Sequence, residues 1–133
     1  MARLYKNMEI FKLGYGFCLE VYKILDNLPE KEKDNLTSQL RRAATSIPVN
    51  IAEGSVKKSY REFLNFLNYS YGSCKEIDVL LMMCYDLGYI NKKEYDKIFS
   101  KLDELMAKLF SFMKNIESRF EDKKRFFTKF AEK

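Results

Sequence analysis

Apolar residues recur at three- and four-residue steps along most of this chain, in four stretches separated by short polar breaks. The first covers residues 8–25 and uses Ile10, Phe11, Phe17, Cys18, Val21, Tyr22 and Leu25. Gly14 and Gly16 interrupt it, and either weaken the helix or let a neighbour approach closely. Residues 26–35 are polar, contain Pro29 and make the first turn. A second helix over residues 36–54 ends at Gly54, a residue that accepts the left-handed conformation common at helix C-termini. Ser59 with Glu62 three residues on has the spacing of a capping box and opens the third helix. Its first half shows one stripe: Tyr60, Phe63, Leu64, Leu67, Tyr71 and Cys74. From residue 77 to 87 almost every position is apolar, which predicts burial on all sides. Gly88 stops that helix, and Asn91 with Glu94 caps a fourth. The fourth carries Tyr95, Ile98, Leu102, Leu105, Met106, Leu109, Phe112, Met113 and Ile116 at helical spacing. Short links between helices of similar length imply antiparallel neighbours. The expected fold is therefore all-α: an antiparallel up-down-up-down four-helix bundle over residues 1–117. Residues 118–133 are a basic, aromatic tail or an extension of the fourth helix.

The second helix stands apart, because residues 36–54 hold only three charges in a chain that is 32% charged. Leu36, Leu40, Ala43, Ile47 and Ile51 share one face, the natural core stripe. Gln39, Arg42, Ser46, Asn50 and Glu53 form a polar stripe beside it. The far side carries Ser38, Thr45, Val49 and Ala52, small and uncharged. Small residues let another helix come close, so this side is a candidate subunit contact; the alternative is a bland exposed face. Pro48 lies inside the helix, where a missing donor and a crowded carbonyl cost about 3 kcal/mol. Thr45 or Ser46 can soften that by bonding to the preceding turn. The polar stripe is expected to supply hydrogen bonds within the bundle or across a subunit contact.

Composition narrows the chemistry. At 133 residues the chain fits one domain with a real core. No apolar run approaches the roughly 20 residues of a membrane span. The N-terminus lacks the pattern of a secretion signal, so the expected compartment is the cytoplasm. Cys18, Cys74 and Cys84 are odd in number and far apart, as buried reduced thiols would be. The chain has no histidine, which removes the usual general base and nearly every zinc pattern. There is no glycine-rich phosphate loop. No catalytic residue, metal or cofactor is expected.

Charge becomes informative once it is placed. The predicted topology gathers the N-terminus, the second turn and the end of helix four at one bundle end. Arg3 and Lys6 give that end +2, and Lys57, Lys58 and Arg61 a further +3. Residues 114–133 add another +3 net. In the tail, Phe120, Phe126, Phe127 and Phe130 lie among Lys123, Lys124, Arg125 and Lys129. Aromatics among basic residues suit stacking on unpaired bases or one face of a partner-binding helix. They also suit simple packing on the bundle.

The run LTSQLRRAATSIPVNIAEG at residues 36–54, followed by YREFL at 60–64 and GSCKE at 72–76, resembles the bacterial four helix bundle protein family. Its members are also called 23S ribosomal RNA intervening-sequence proteins. The resemblance spans roughly residues 6–116. It implies a four-helix bundle assembled as a ring-like homopentamer, with some members encoded inside 23S ribosomal RNA genes. A more distant branch resembles accessory proteins of diversity-generating retroelements, which bind a reverse transcriptase and nucleic acid. The family brings no catalytic residues. Its motif positions here are Gln39, Arg42, Ser46, Pro48, Asn50, Ala52, Glu53 and Gly54, and they look architectural. The chain departs from the usual pattern at residues 55–58 and in its basic tail. Three readings remain open: a nucleic-acid-binding helical scaffold, an accessory subunit docking on a reverse transcriptase, and a structural assembly without a ligand.

Overall fold

Two of the four helix starts are fixed by short polar side chains. In the computed structural model, which describes residues 4–119, the Ser59 hydroxyl accepts the Glu62 backbone N–H at 3.1 Å and begins α3. Asn91 begins α4 with a full capping box: its side chain accepts from the Glu94 N–H at 2.8 Å, and the Glu94 carboxylate accepts from the Asn91 N–H at 2.9 Å. These contacts satisfy donors that a helix N-terminus leaves without partners. The four helices are α1 (Glu9–Leu25), α2 (Leu36–Ser55), α3 (Tyr60–Asp86) and α4 (Lys92–Glu117). Short 3-10 turns at Tyr5–Asn7 and Glu30–Glu32 precede α1 and α2. Gly88 ends the α3 region with φ at 81°, a conformation that favours glycine.

Each helix packs on two neighbours, α1 on α2, α2 on α3, α3 on α4 and α4 on α1. Among the described residues there is no diagonal packing of α1 on α3 or of α2 on α4. The result is a square, antiparallel four-helix bundle. Leu36, Leu40, Ala43, Ile47 and Ile51 of α2 are all buried, as their common stripe predicts. Val21, Leu67, Ile77, Leu81, Leu102, Leu105 and Leu109 close the core from the other three helices. Burying each such side chain stabilises by about 1.5–3 kcal/mol, so the core outweighs any single polar contact described below. All three cysteines are buried and reduced.

Three expectations change. Gly54 does not end α2 in a left-handed conformation; the helix runs on to Ser55, and the positive-φ residue is Gly88. Gly54 is needed instead for approach: a Cβ there would lie 2.7 Å from the Phe66 Cβ. Gly14 has the same use against Ile47, where a Cβ would meet the side chain at 3.0 Å, whereas Gly16 faces open space. The apolar run at residues 77–87 is not buried on all sides within one chain. Ile77, Leu80, Leu81 and Cys84 are buried, but Val79, Met82, Met83, Tyr85 and Leu87 are exposed. A square bundle offers each helix only two neighbours, so half of such a helix stays outside. Tyr22 and Tyr60, placed on core stripes by spacing, are likewise exposed.

Candidate nucleic-acid interface

The antiparallel order brings the start of α1, the α2–α3 turn and the end of α4 to one end of the bundle. Lys6, Lys58 and Arg61 are exposed there. Lys57 is half-buried, with its ammonium 5.0 Å from the centre of the Phe66 ring. A cation over an aromatic face is held by the ring quadrupole, so Lys57 has a positional preference that Lys58 has not. Lys114 and Arg119, at the end of α4, are exposed at the same end. Both fall within residues 114–133, whose net charge the sequence already assigns to this end, but neither is singled out there as a candidate. Arg3, Lys123, Lys124, Arg125, Lys129, Phe126, Phe127 and Phe130 lie outside the described residues.

The acidic groups near this end are fewer. Glu9 sits 3.6 Å from Lys108, Glu53 and Glu62 are exposed and Glu117 is buried. Met8, Ile10, Phe112 and Arg119 help line a shallow groove between α1 and α4. At the opposite end several acidic groups have local partners. Lys92 pairs with Asp96 at 2.7 Å, Asn27 donates to Glu94 at 3.0 Å, and the Tyr89 hydroxyl donates to Glu32 at 2.7 Å. Between the ends, Lys101 donates to Glu20 across α1 and α4, which holds the Glu20 carboxyl below its usual range.

The motif residues of α2 have a different employment. Arg42 pairs with Glu76 of α3 at 2.7 Å, and the Ser46 hydroxyl bonds that of Ser73. Ser70, fully buried in α3, donates to the Ile47 carbonyl at 2.9 Å. Asn50 donates to the Ser46 carbonyl at 2.8 Å, and Gln39 to the Asn35 side chain at 2.7 Å. Around Pro48, Thr45 donates to the carbonyls of Arg41 and Arg42, and Ser46 to that of Ala43. Such back-bonding to the preceding turn is the local adjustment expected near an interior proline. Glu53 and Val49 are exposed, while Thr45 and Ala52 are half-buried. Arg42 and Ser46 of the polar stripe thus stitch α2 to α3, and their partners Glu76 and Ser73 belong to the run GSCKE at residues 72–76, where nothing local marks them as partners.

Among the described residues no group of three or more His, Cys, Asp or Glu could hold a metal ion. No helix among them is long and apolar enough to cross a membrane.

Comparison with known proteins agrees with this geometry. The chain is similar to the crystal structure of a protein of unknown function from the S23 ribosomal protein family of Bacteroides thetaiotaomicron VPI-5482. The two share 24% identity with a TM-score of 0.73, over 79% of this chain and 95% of that one, a likeness that establishes the fold. No match was found among curated proteins. The family profile of the 23S rRNA-intervening sequence proteins matches residues 6–111, which include the whole α2–α3 seam and most of α4. On that match the chain belongs to the 23S rRNA-intervening sequence protein family.

Proposed function

We propose that this chain is a non-enzymatic, oligomeric helical scaffold that binds RNA or DNA through the basic end of its bundle. The observation that carries this reading is the convergence of Lys6, Lys57, Lys58, Arg61, Lys114 and Arg119 at one end, from three separate segments. Phosphate backbones are recognised by such clusters, because neutralising each phosphate releases condensed counterions. In a ring-like homopentamer of parallel subunits the cluster repeats around one rim and its potential adds. The tail residues Lys123, Lys124, Arg125 and Lys129 extend the same cluster in sequence, with Phe126, Phe127 and Phe130 as stacking surfaces for unpaired bases.

Fluorescence anisotropy with labelled single-stranded RNA and DNA, at stepped salt, tests this. Binding should weaken along a log–log line of slope about −0.7 per phosphate contacted. Replacing Lys6, Lys58 and Arg61 together with glutamine should flatten that slope and weaken binding about tenfold or more. Unchanged binding by this variant, or no binding at low salt, would overturn the assignment.

A further inference from the structure

The seam between α3 and α4 carries aromatic rings and carboxylates on its outer side. A groove of about 290 Å³ opens there, with Tyr71, Phe99, Met106 and Phe110 on its walls and Lys75, Asp78 and Asp103 around them. Tyr71 faces Phe110 at 6.1 Å between ring centres, and the stack of Tyr85, Tyr95 and Phe99 continues the seam at 5.1 and 5.9 Å. Phe99 and Phe110 are 38% and 42% exposed. Lys75 holds its ammonium 5.8 Å from the centre of the Tyr71 ring, so the groove already takes a cation on an aromatic face. Among the described residues neither Asp78 nor Asp103 has an ion-pair partner. Further along, Asp96 pairs with Lys92, and Asp86 is exposed. Burial, with Asp78, Asp86 and Asp96 nearby, holds the Tyr95 hydroxyl above its usual range, in keeping with a negative potential along this seam.

A segment that brings phenyl rings and cations together suits this surface, and residues 120–133, outside the described residues, hold both. Glu121 and Asp122 come first, and the bundle end where α4 stops exposes Arg61 and Lys114. Lys123, Lys124 and Arg125, then Phe126 and Phe127, then Lys129 and Phe130 follow, and Glu132 and Lys133 cancel at the close. Asp103 lies 16 residues before Arg119, about 24 Å back along α4. Lys129 lies 10 residues after Arg119, a reach of about 33 Å when extended, enough for a turn and the return. The groove between α1 and α4 suits this segment less. It holds one ring, Phe112, and its Glu9 and Glu104 share it with Lys108 and Arg119. Glu9 there already lies 3.6 Å from Lys108.

We infer that residues 123–130 fold back onto the α3–α4 groove of their own chain, with Phe126, Phe127 and Phe130 on the rings of Tyr71, Phe99 and Phe110 and Lys129 beside Asp78 and Asp103. The docked segment covers exposed rings and gives both carboxylates a cation. Docking uses the same phenyl rings that unpaired bases would stack on, so the two exclude each other. The docked tail is then a resting state that nucleic acid displaces. The contact itself stands without the nucleic-acid reading; only this competition rests on it.

Carbodiimide joins an ammonium to a carboxylate only where the two touch, and tests the contact in full-length, nuclease-treated protein. Ordinary and nitrogen-15-labelled chains, unfolded and refolded together, show whether a joined pair comes from one chain or two. Mass spectrometry should find Lys129 joined to Asp103 or Asp78, in peptides of a single label. Phe126→Ser with Phe130→Ser should lower that yield about tenfold or more, because two anchoring rings are lost. No such pair, mixed-label pairs, tail lysines joined instead to Glu9 or Glu104, or a yield that the double variant leaves unchanged would each overturn the docking. Single-stranded RNA at low salt should lower the same yield while anisotropy records its binding. Bound RNA that leaves the yield unchanged overturns the competition. Protein that gives the cross-link but binds no RNA upholds the docking and refutes the nucleic-acid reading, so the two failures are told apart.

Discussion

Gly54 of α2 faces Phe66 of α3 at a separation that leaves no room for a side chain: a Cβ on Gly54 would lie 2.7 Å from the Phe66 Cβ and 3.0 Å from the Phe63 Cδ1. The Phe66 Cβ is fixed to its own backbone and cannot swing aside, so the helices themselves must part. Gly54→Ala should therefore destabilise the bundle by about 1–3 kcal/mol, as overpacking does. Gly16→Ala, with nothing within 4 Å of the added group, should stabilise by about 0.5–1 kcal/mol through helix propensity. Urea titrations of the two variants check both signs, and a wild-type midpoint for Gly54→Ala would mean that the seam spreads without cost.

Ser70 and the Ile47 carbonyl make a buried bond just before Pro48. Ser70→Ala should cost about 0.5–1.5 kcal/mol, the net worth of an intramolecular hydrogen bond. Because Ser70 is fully buried, the loss should appear in equilibrium unfolding without any change in helicity of the folded state.

Arg42 and Glu76 are close but partly exposed, with side chains 66% and 34% accessible. Water screens such a pair, so a double-mutant cycle with alanine should give a coupling of only about 0.2–1 kcal/mol. The coupling should fall as salt is raised. A coupling of several kcal/mol would show instead that the pair is enclosed in the assembled protein.

Burial pushes the Cys74 thiol up from 9.0 to about 12, and that of Cys84 to about 11. Between those values the unfolded chain has released protons that the folded chain retains. Stability should consequently be full below pH 9 and fall as the pH rises toward 12, by about 1.4 kcal/mol per pH unit for each such group. Cys74→Ala should flatten this alkaline slope relative to the wild type, measured by urea unfolding from neutral pH to about pH 10. Parallel slopes for the two proteins would sink the explanation.

The four helices and the capped starts of α3 and α4 were legible in the sequence, because the signals are local. Asn91 and Glu94 are three residues apart and bond each other wherever the chain goes, and the stripe from Leu36 to Ile51 needs only the helical period to declare itself. The motif residues Arg42 and Ser46 were legible as polar and architectural, but not as partners of Glu76 and Ser73. Those pairs lie 34 and 27 residues apart, and their meeting depends on the register between helices. The use of Gly54 was misread for the same reason, since a tight crossing and a helix end ask for the same residue. Residues 77–87 show the limit most clearly. Their apolar composition determined that this helix demands cover on more than one side. Only the tertiary structure decided which half meets the core, because a square bundle gives each helix two neighbours and turns Val79, Met83 and Leu87 outward.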